Sequence, residues 1–131
     1  MPAGPENDHP WTLCLPSDPL SAARARRFVT GTVGGQVTSE VADAACLVVS
    51  ELVTNAVRHA EGDVEVVLTL TDDDVRVVVS DAGPGVPVAR VPQPDEESGR
   101  GLEIVDAVAR CWGIEQMRPT GKRVWADVRR G

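Results

Sequence analysis

The chain has 131 residues, of which 42% are hydrophobic, and this is the size of a single domain with its own core. Its 13 basic residues against 20 acidic residues give a net charge of -7, which argues against a nucleic-acid binder because phosphate backbones need a basic surface. The polar start of the chain and the lack of any run of roughly 20 apolar residues predict a cytoplasmic protein without a signal peptide or membrane span. Three dispersed cysteines (Cys14, Cys46, Cys111) predict reduced, buried thiols rather than a zinc site or a disulfide framework.

The first half of the chain predicts a strand and two helices. Residues 1–10 are expected to form a disordered tail, and residues 11–131 to form one domain that opens with a strand from Trp11 to Leu15. Ser17-Asp18-Pro19 is a helix start, and this helix should run to about Thr32 before Gly34-Gly35. A second start, Thr38-Ser39-Glu40, predicts a long helix from about Ser39 to His59. Its apolar stripe comprises Val41, Ala45, Val48, Leu52 and Ala56.

The second half predicts four strands and a helix. Two β-rich runs, 64–70 and 75–81, flank an acidic turn at 71–74 that we expect to be solvated rather than to bind a metal. Residues 82–100 have the composition of a loop and the length of a functional lid. A helix from Gly101 to Cys111 and strands at 114–117 and 123–128 complete the pattern. It predicts an α+β two-layer sandwich, with a mixed, mostly antiparallel sheet and three helices on one face.

A carboxylate and an amide share one face of the long predicted helix. Glu51 and Asn55 are four residues apart, so both side chains leave the same side of the helix. An amide oxygen is a suitable ligand for Mg²⁺, and a carboxylate beside it can serve as a general base. A polar stripe facing solvent is the alternative explanation.

Two glycine-containing segments follow the predicted strand and the predicted lid. Asp81 ends an apolar strand before Gly83 and Gly85, which let a flat ligand approach the backbone while the carboxylate accepts a hydrogen bond from an exocyclic amine. A simple tight turn would have the same composition. Gly99-Arg100-Gly101 opens the third helix, where free amides and a guanidinium can bind phosphates; a flexible helix entry is the alternative.

Taken in order, the three segments resemble the motifs of the GHKL superfamily of ATPases. The N box is resembled by Glu51-Leu-Val-Thr-Asn55-Ala-Val-Arg-His59-Ala60, the first glycine box by Asp81-Ala-Gly83-Pro-Gly85, and the second by Gly99-Arg100-Gly101-Leu102-Glu-Ile-Val105. Residues 20–128 are covered, and the sequence around Trp112-Gly113 and Lys122-Arg-Val-Trp is similar to the actinobacterial anti-sigma-factor serine kinases. The resemblance implies the Bergerat ATP-binding fold, with ATP and Mg²⁺ as cofactors.

The resemblance also implies roles for individual residues. Asn55 would bind Mg²⁺, Glu51 would be the general base, and Asp81 would bind the adenine amino group beside Gly83 and Gly85. The phosphates would be surrounded by Gly99, Arg100, Gly101 and Leu102. The family usually has a threonine where this chain has Arg123, so either Thr120 substitutes for it through a shifted turn or the adenine contact is weaker.

Two functions remain open at this point. The first is an anti-sigma-factor serine/threonine kinase that binds a sigma factor and phosphorylates a STAS-type antagonist, with a possible homodimer. The second is an ATP-gated interaction module without turnover, in which a lid over residues 86–98 changes a partner surface. A gyrase-type hydrolase or a histidine kinase is less favoured, because 131 residues leave no space for transducer or dimerisation domains.

Overall fold

A computed structural model describes residues 10–59, 62–81, 97–117 and 121–130, except for the side chains of residue 59 and of residues 97–101. Five strands and three helices lie in these ranges. The strands are β1 (Pro10–Leu15), β2 (Val64–Leu70), β3 (Asp74–Asp81), β4 (Cys111–Gln116) and β5 (Lys122–Arg129), and the helices are α1 (Ser21–Thr32), α2 (Ser39–His59) and α3 (Glu97–Val108).

The strands form one sheet in the order β1-β2-β3-β5-β4. Each of the four pairings is antiparallel, so the described sheet has no parallel pair. The predicted α+β two-layer sandwich is confirmed, and the sheet is antiparallel throughout the described strands rather than mixed. Because β3 and β5 are neighbours in the sheet, residues about 50 positions apart in the chain lie directly opposite each other.

The core lies between the helices and one face of the sheet. Alternate residues of the inner strands are buried on this face, and they pack against the apolar side of α2. The strand residues are Val64, Val66, Leu68, Leu70, Val75, Val77, Val79, Val124, Ala126 and Val128. β-branched valine suits both a pleated strand and a buried surface, which explains how a chain with few aromatic residues still forms a continuous core. The intervening residues of the strands lie on the opposite face of the sheet, which we call the outer face.

Helix α2 matches the predicted bounds, and its start is stabilised as the sequence indicates. The hydroxyl of Thr38 accepts a hydrogen bond from the backbone N–H of Val41 at 3.2 Å, which is the N-cap interaction of a helix that begins at Ser39. Helix α1 lies alongside α2, with the Arg26 guanidinium donating to the hydroxyl of Ser50 at 3.1 Å. The central helix is therefore fixed by its own cap, by the sheet and by its neighbour.

The third helix differs from its prediction at both ends. It begins at Glu97 rather than at Gly101, and it ends at Val108, because Cys111 opens strand β4 instead of closing the helix. The break is anchored by Arg110, whose backbone N–H donates to the carbonyl oxygen of Asp127 on the neighbouring strand at 2.7 Å. This tertiary hydrogen bond has no local sequence signal.

The acidic turn also differs in part. Asp72 and Asp73 are exposed as expected, but Asp74 is buried and binds the Arg110 guanidinium at 2.5 and 3.0 Å. In the described ranges no cluster of three metal-ligating side chains forms. No described helix is both long and apolar enough to span a bilayer. All three cysteines are free thiols, but none is buried as predicted: Cys14 is exposed, and Cys46 and Cys111 are partly buried.

Candidate functional site

Glu51 and Asn55 lie one helical turn apart on α2, as the sequence indicates. Glu51 is half-buried, and within the described part of the chain its carboxylate has no hydrogen-bond or ion-pair partner. Thr54 and Arg58 continue the same side of the helix and are exposed. The helix therefore presents an uncommitted carboxylate at the boundary between its buried side and solvent.

Asn55 contains the most unusual polar atom of this helix. The residue is 8% exposed, and its side-chain oxygen Oδ1 is fully buried without a hydrogen-bond partner among the described residues. Burying an unsatisfied acceptor costs about 1–3 kcal/mol, so native structures rarely retain one unless a ligand, ion or water satisfies it. An amide oxygen is one of the hard ligands that Mg²⁺ accepts, so the residue present fits such an ion.

Asp81 occupies the last position of β3 and is 7% exposed. Its register partners are Val64 on β2 and Lys122 on β5. Because Val77 and Val79 point into the core, the alternation along the strand places Asp81 on the same, helix-covered face of the sheet. Asp81 and Asn55 therefore both lie on the interior side of the two layers.

The register of strand β5 gives the orientation of Arg123. Because Val124 is buried in the core, Arg123 points to the outer face, where its Nε atom lies 3.3 Å from Oε1 of Glu115. Lys122 then lies on the helix-covered face, directly opposite Asp81. The side chain of Arg123 is consequently on the opposite face of the sheet from Asp81, whereas Lys122 lies on the Asp81 side. The sequence analysis did not place Lys122 near Asp81, although counting alternate residues back from Val124 could have done so.

The proposed phosphate-binding segment is described in part. The backbone of Gly99, Arg100 and Gly101 belongs to the first turns of α3, and the side chain of Leu102 is half-buried against the core. Only the first four N–H groups of a helix have no partner within it, which suits an anion. In a helix that begins at Glu97 these include the N–H of Gly99, whereas Gly101 lies beyond them. Gly83, Gly85 and Thr120 lie outside the described residues. The predicted lid at 86–98 also lies outside them except for its last two residues, which belong to α3 rather than to a loop.

The comparison with known protein families agrees with this arrangement. A two-layer α+β fold with polar side chains on the central helix and at a strand end defines a candidate nucleotide-binding domain. A family model described as the histidine kinase-like ATPase domain matches residues 15–128. The chain therefore belongs to the histidine kinase-like ATPase domain family of the GHKL superfamily. Membership supports an ATP-binding regulatory role, and domains of this kind generally bind ATP with Mg²⁺.

Proposed function

We propose that this protein is an ATP-dependent serine/threonine kinase of the anti-sigma-factor type. The proposal depends on α2, where Asn55 and Glu51 lie one turn apart. Among the described residues, neither the buried side-chain oxygen of Asn55 nor the carboxylate of Glu51 has a hydrogen-bond partner. The first group suits a metal ion that accompanies a nucleotide, and the second suits a proton acceptor next to it. Both are polar groups on a helix that is otherwise well packed.

The nucleotide would be bound by residues from three elements. Asp81 would accept a hydrogen bond from the adenine amino group, with Gly83 and Gly85 forming the adjoining wall. The phosphates would lie at the start of α3, near Gly99, Arg100, Gly101 and Leu102. Asn55 would hold Mg²⁺, which neutralises charge on the phosphates when it is bound.

The reaction assigned to Glu51 is the transfer of one phosphoryl group. The oxygen of an incoming serine or threonine hydroxyl forms a bond to the γ-phosphorus, while the bond between that phosphorus and the β,γ-bridging oxygen breaks and ADP leaves. The hydroxyl proton passes to the Glu51 carboxylate. Arg100 would stabilise negative charge on the transferred group.

The proposed partners are proteins, in keeping with the net charge of -7. A STAS-domain antagonist would be the phosphoryl acceptor and a sigma factor the regulated partner, in the cytoplasm, with a homodimer as the possible assembly. The exposed surface of α1 carries Arg24, Arg26 and Arg27 and no acidic residue, and this surface suits an acidic protein.

The test is a capture experiment followed by phosphoryl transfer. Tagged protein is incubated with native lysate with and without Mg-ATP, and captured proteins are then incubated with γ-labelled ATP. The proposal expects a labelled serine or threonine on a captured protein. Glu51→Ala should bind ATP with an affinity within a few-fold of the wild type and should lose phosphoryl transfer. Thr54 is exposed and lies about one helical turn from Glu51, so Thr54→Ala should retain both ATP binding and transfer. Transfer by Glu51→Ala would rule out the proposed base.

A non-catalytic ATP-gated interaction module is the second candidate. Arg123 stands where the family usually has a threonine, and its side chain lies on the opposite face of the sheet from Asp81. A weaker base contact would suit a protein that senses nucleotide without turning it over. A nucleotide-dependent complex with no labelled protein would favour this second function.

A further inference from the structure

Lys122 is the only lysine of the chain, and the structure places it beside the proposed base-binding carboxylate. It is half-buried, although lysine is among the residues that most often remain exposed. Residues directly opposite on antiparallel strands have Cβ atoms about 4.5–5.5 Å apart, so Lys122 and Asp81 share one small area of the helix-covered face.

The backbone before Lys122 fixes this position. Gly121 is buried with a φ of 97°, a conformation that L side chains rarely adopt, and its carbonyl oxygen accepts a hydrogen bond from the N–H of Met117 at 3.0 Å. This contact joins the residue after β4 to the residue before β5, next to the position at which Lys122 opposes Asp81. A shift by one residue would instead bring Arg123 to the inner face.

The two side chains are complementary to one edge of adenine. A carboxylate accepts hydrogen bonds and an ammonium group donates them, so the pair offers an acceptor next to a donor. The adenine amino group is flanked by the ring nitrogens N1 and N7, both of which are acceptors. A base whose amino group donates to Asp81 thus has a ring nitrogen available to a neighbouring donor.

We propose that Lys122 is a base-recognition residue, which donates a hydrogen bond to a ring nitrogen of adenine while Asp81 accepts one from the amino group. The inference rests on the proposed ATP site. In this assignment the edge of the base is recognised by Lys122 and not by the residue at position 123. Arg123 makes no contribution to this contact, because it pairs with Glu115 on the other face of the sheet.

The chain contains a matched control for this proposal. Lys122→Met and Arg123→Met each remove one positive charge from adjacent positions of β5, but only the first position faces Asp81. Binding of ATP, 1-deaza-ATP and 7-deaza-ATP to each variant is measured by calorimetry, with circular dichroism to confirm folding. Lys122→Arg retains a donor and is measured beside them.

We expect the loss of nucleotide affinity in Lys122→Met to depend on the presence of one particular ring nitrogen of adenine. Lys122→Met should weaken ATP binding roughly tenfold, the usual effect of losing a charge-assisted hydrogen bond. The wild type should bind one of the two analogues, 1-deaza-ATP or 7-deaza-ATP, about as weakly as Lys122→Met binds ATP. Lys122→Met should bind that same analogue with nearly the affinity that it has for ATP, because the hydrogen bond is already missing. Arg123→Met should bind all three nucleotides like the wild type, and Lys122→Arg should recover most of the affinity for ATP.

Other outcomes overturn the assignment in distinguishable ways. Equal weakening of ATP and both deaza analogues by Lys122→Met would mean that the lysine acts through its charge on the phosphates. Unchanged ATP binding by Lys122→Met would leave the ATP site intact and remove Lys122 from it. A wild type that binds none of the nucleotides would refute the proposed function together with this inference.

Discussion

The guanidinium of Arg76 donates hydrogen bonds to both carboxylate oxygens of Asp127, at 2.7 and 2.9 Å, between the neighbouring strands β3 and β5. The same carboxylate lies 3.7 Å from the guanidinium of Arg110, and the Arg76 guanidinium stacks over the Trp125 ring at 5.0 Å from its centroid. The outer face of the sheet therefore carries a network of charged side chains, whereas the helix-covered face of the same strands carries mainly valine. It joins strands β3 and β5 to Arg110, the residue just before β4, on the side opposite the candidate site.

The buried carboxylate of this network should make stability depend on pH. The hydrogen bonds from Arg76 hold the pKa of Asp127 below its ordinary value, against the opposing effect of burial. The contribution is present above the ordinary pKa of about 4 and is lost as the pH falls through the lower folded-state value. We expect Asp127→Asn to lower the free energy of unfolding by about 1–2 kcal/mol at pH 7, a modest value because Arg76 is half exposed. Urea titrations at pH 7 and pH 3 should show the difference from wild type shrinking in acid; an equal difference at both would contradict this reasoning.

Gly113 is required where the indole of Trp125 crosses β4. A Cβ atom at this position would lie 2.8 Å from the indole nitrogen Nε1, so the ring would have to move. We expect Gly113→Ala to destabilise the fold by about 1–3 kcal/mol and to change tryptophan fluorescence. Gly31→Ala is the control, since nothing lies within 4 Å there and alanine favours a helix. A loss of stability at Gly31 equal to that at Gly113 would show that the indole contact is not the cause.

Asn55 should matter for ligand binding more than for folding. Its side-chain oxygen has no partner among the described residues, so Asn55→Ala should lower the free energy of unfolding by less than about 1 kcal/mol, or raise it, in the absence of nucleotide. The same variant should lose the rise in melting temperature that Mg-ATP gives the wild type. Differential scanning fluorimetry with and without Mg-ATP checks both, with Thr54→Ala as control. A full Mg-ATP shift in Asn55→Ala would remove Asn55 from the metal site.

Asp81 should be required for binding of the base. Asp81→Asn keeps the size of the side chain but replaces one acceptor oxygen by a donor, which opposes the adenine amino group. We expect it to lose most of the Mg-ATP stabilisation measured by thermal shift. Purine riboside triphosphate, which lacks the amino group, should bind wild type and Asp81→Asn with similar affinity. Undiminished ATP stabilisation of Asp81→Asn would refute the adenine contact.

Local sequence patterns were sufficient to predict those elements whose bounds depend on interactions between neighbouring residues. Helix α2 has the predicted bounds because a side-chain cap, an apolar stripe and a following glycine are all written into neighbouring positions. Strand β2 also matches its predicted bounds, because buried residues alternate with more exposed residues along it. The family motifs were likewise visible as short segments in a fixed order, and the family match over residues 15–128 confirms the superfamily that they indicate.

Contacts between distant residues were decided by the tertiary structure. Asp74 looked like part of a solvated acidic turn, yet it is buried against Arg110, which is 36 positions away. The third helix ends earlier than predicted because the residues after it pair with β5, a strand that lies further along the chain. Lys122 and Arg123 are equivalent as cations in the sequence, but the register of β5 against β3 puts one beside Asp81 and the other beside Glu115. The sequence by itself determined the elements and the family, because capping, periodicity and short motifs act over a few residues. Only the folded sheet decided which charges are buried, paired or turned towards the candidate site, because those depend on partners that folding brings together.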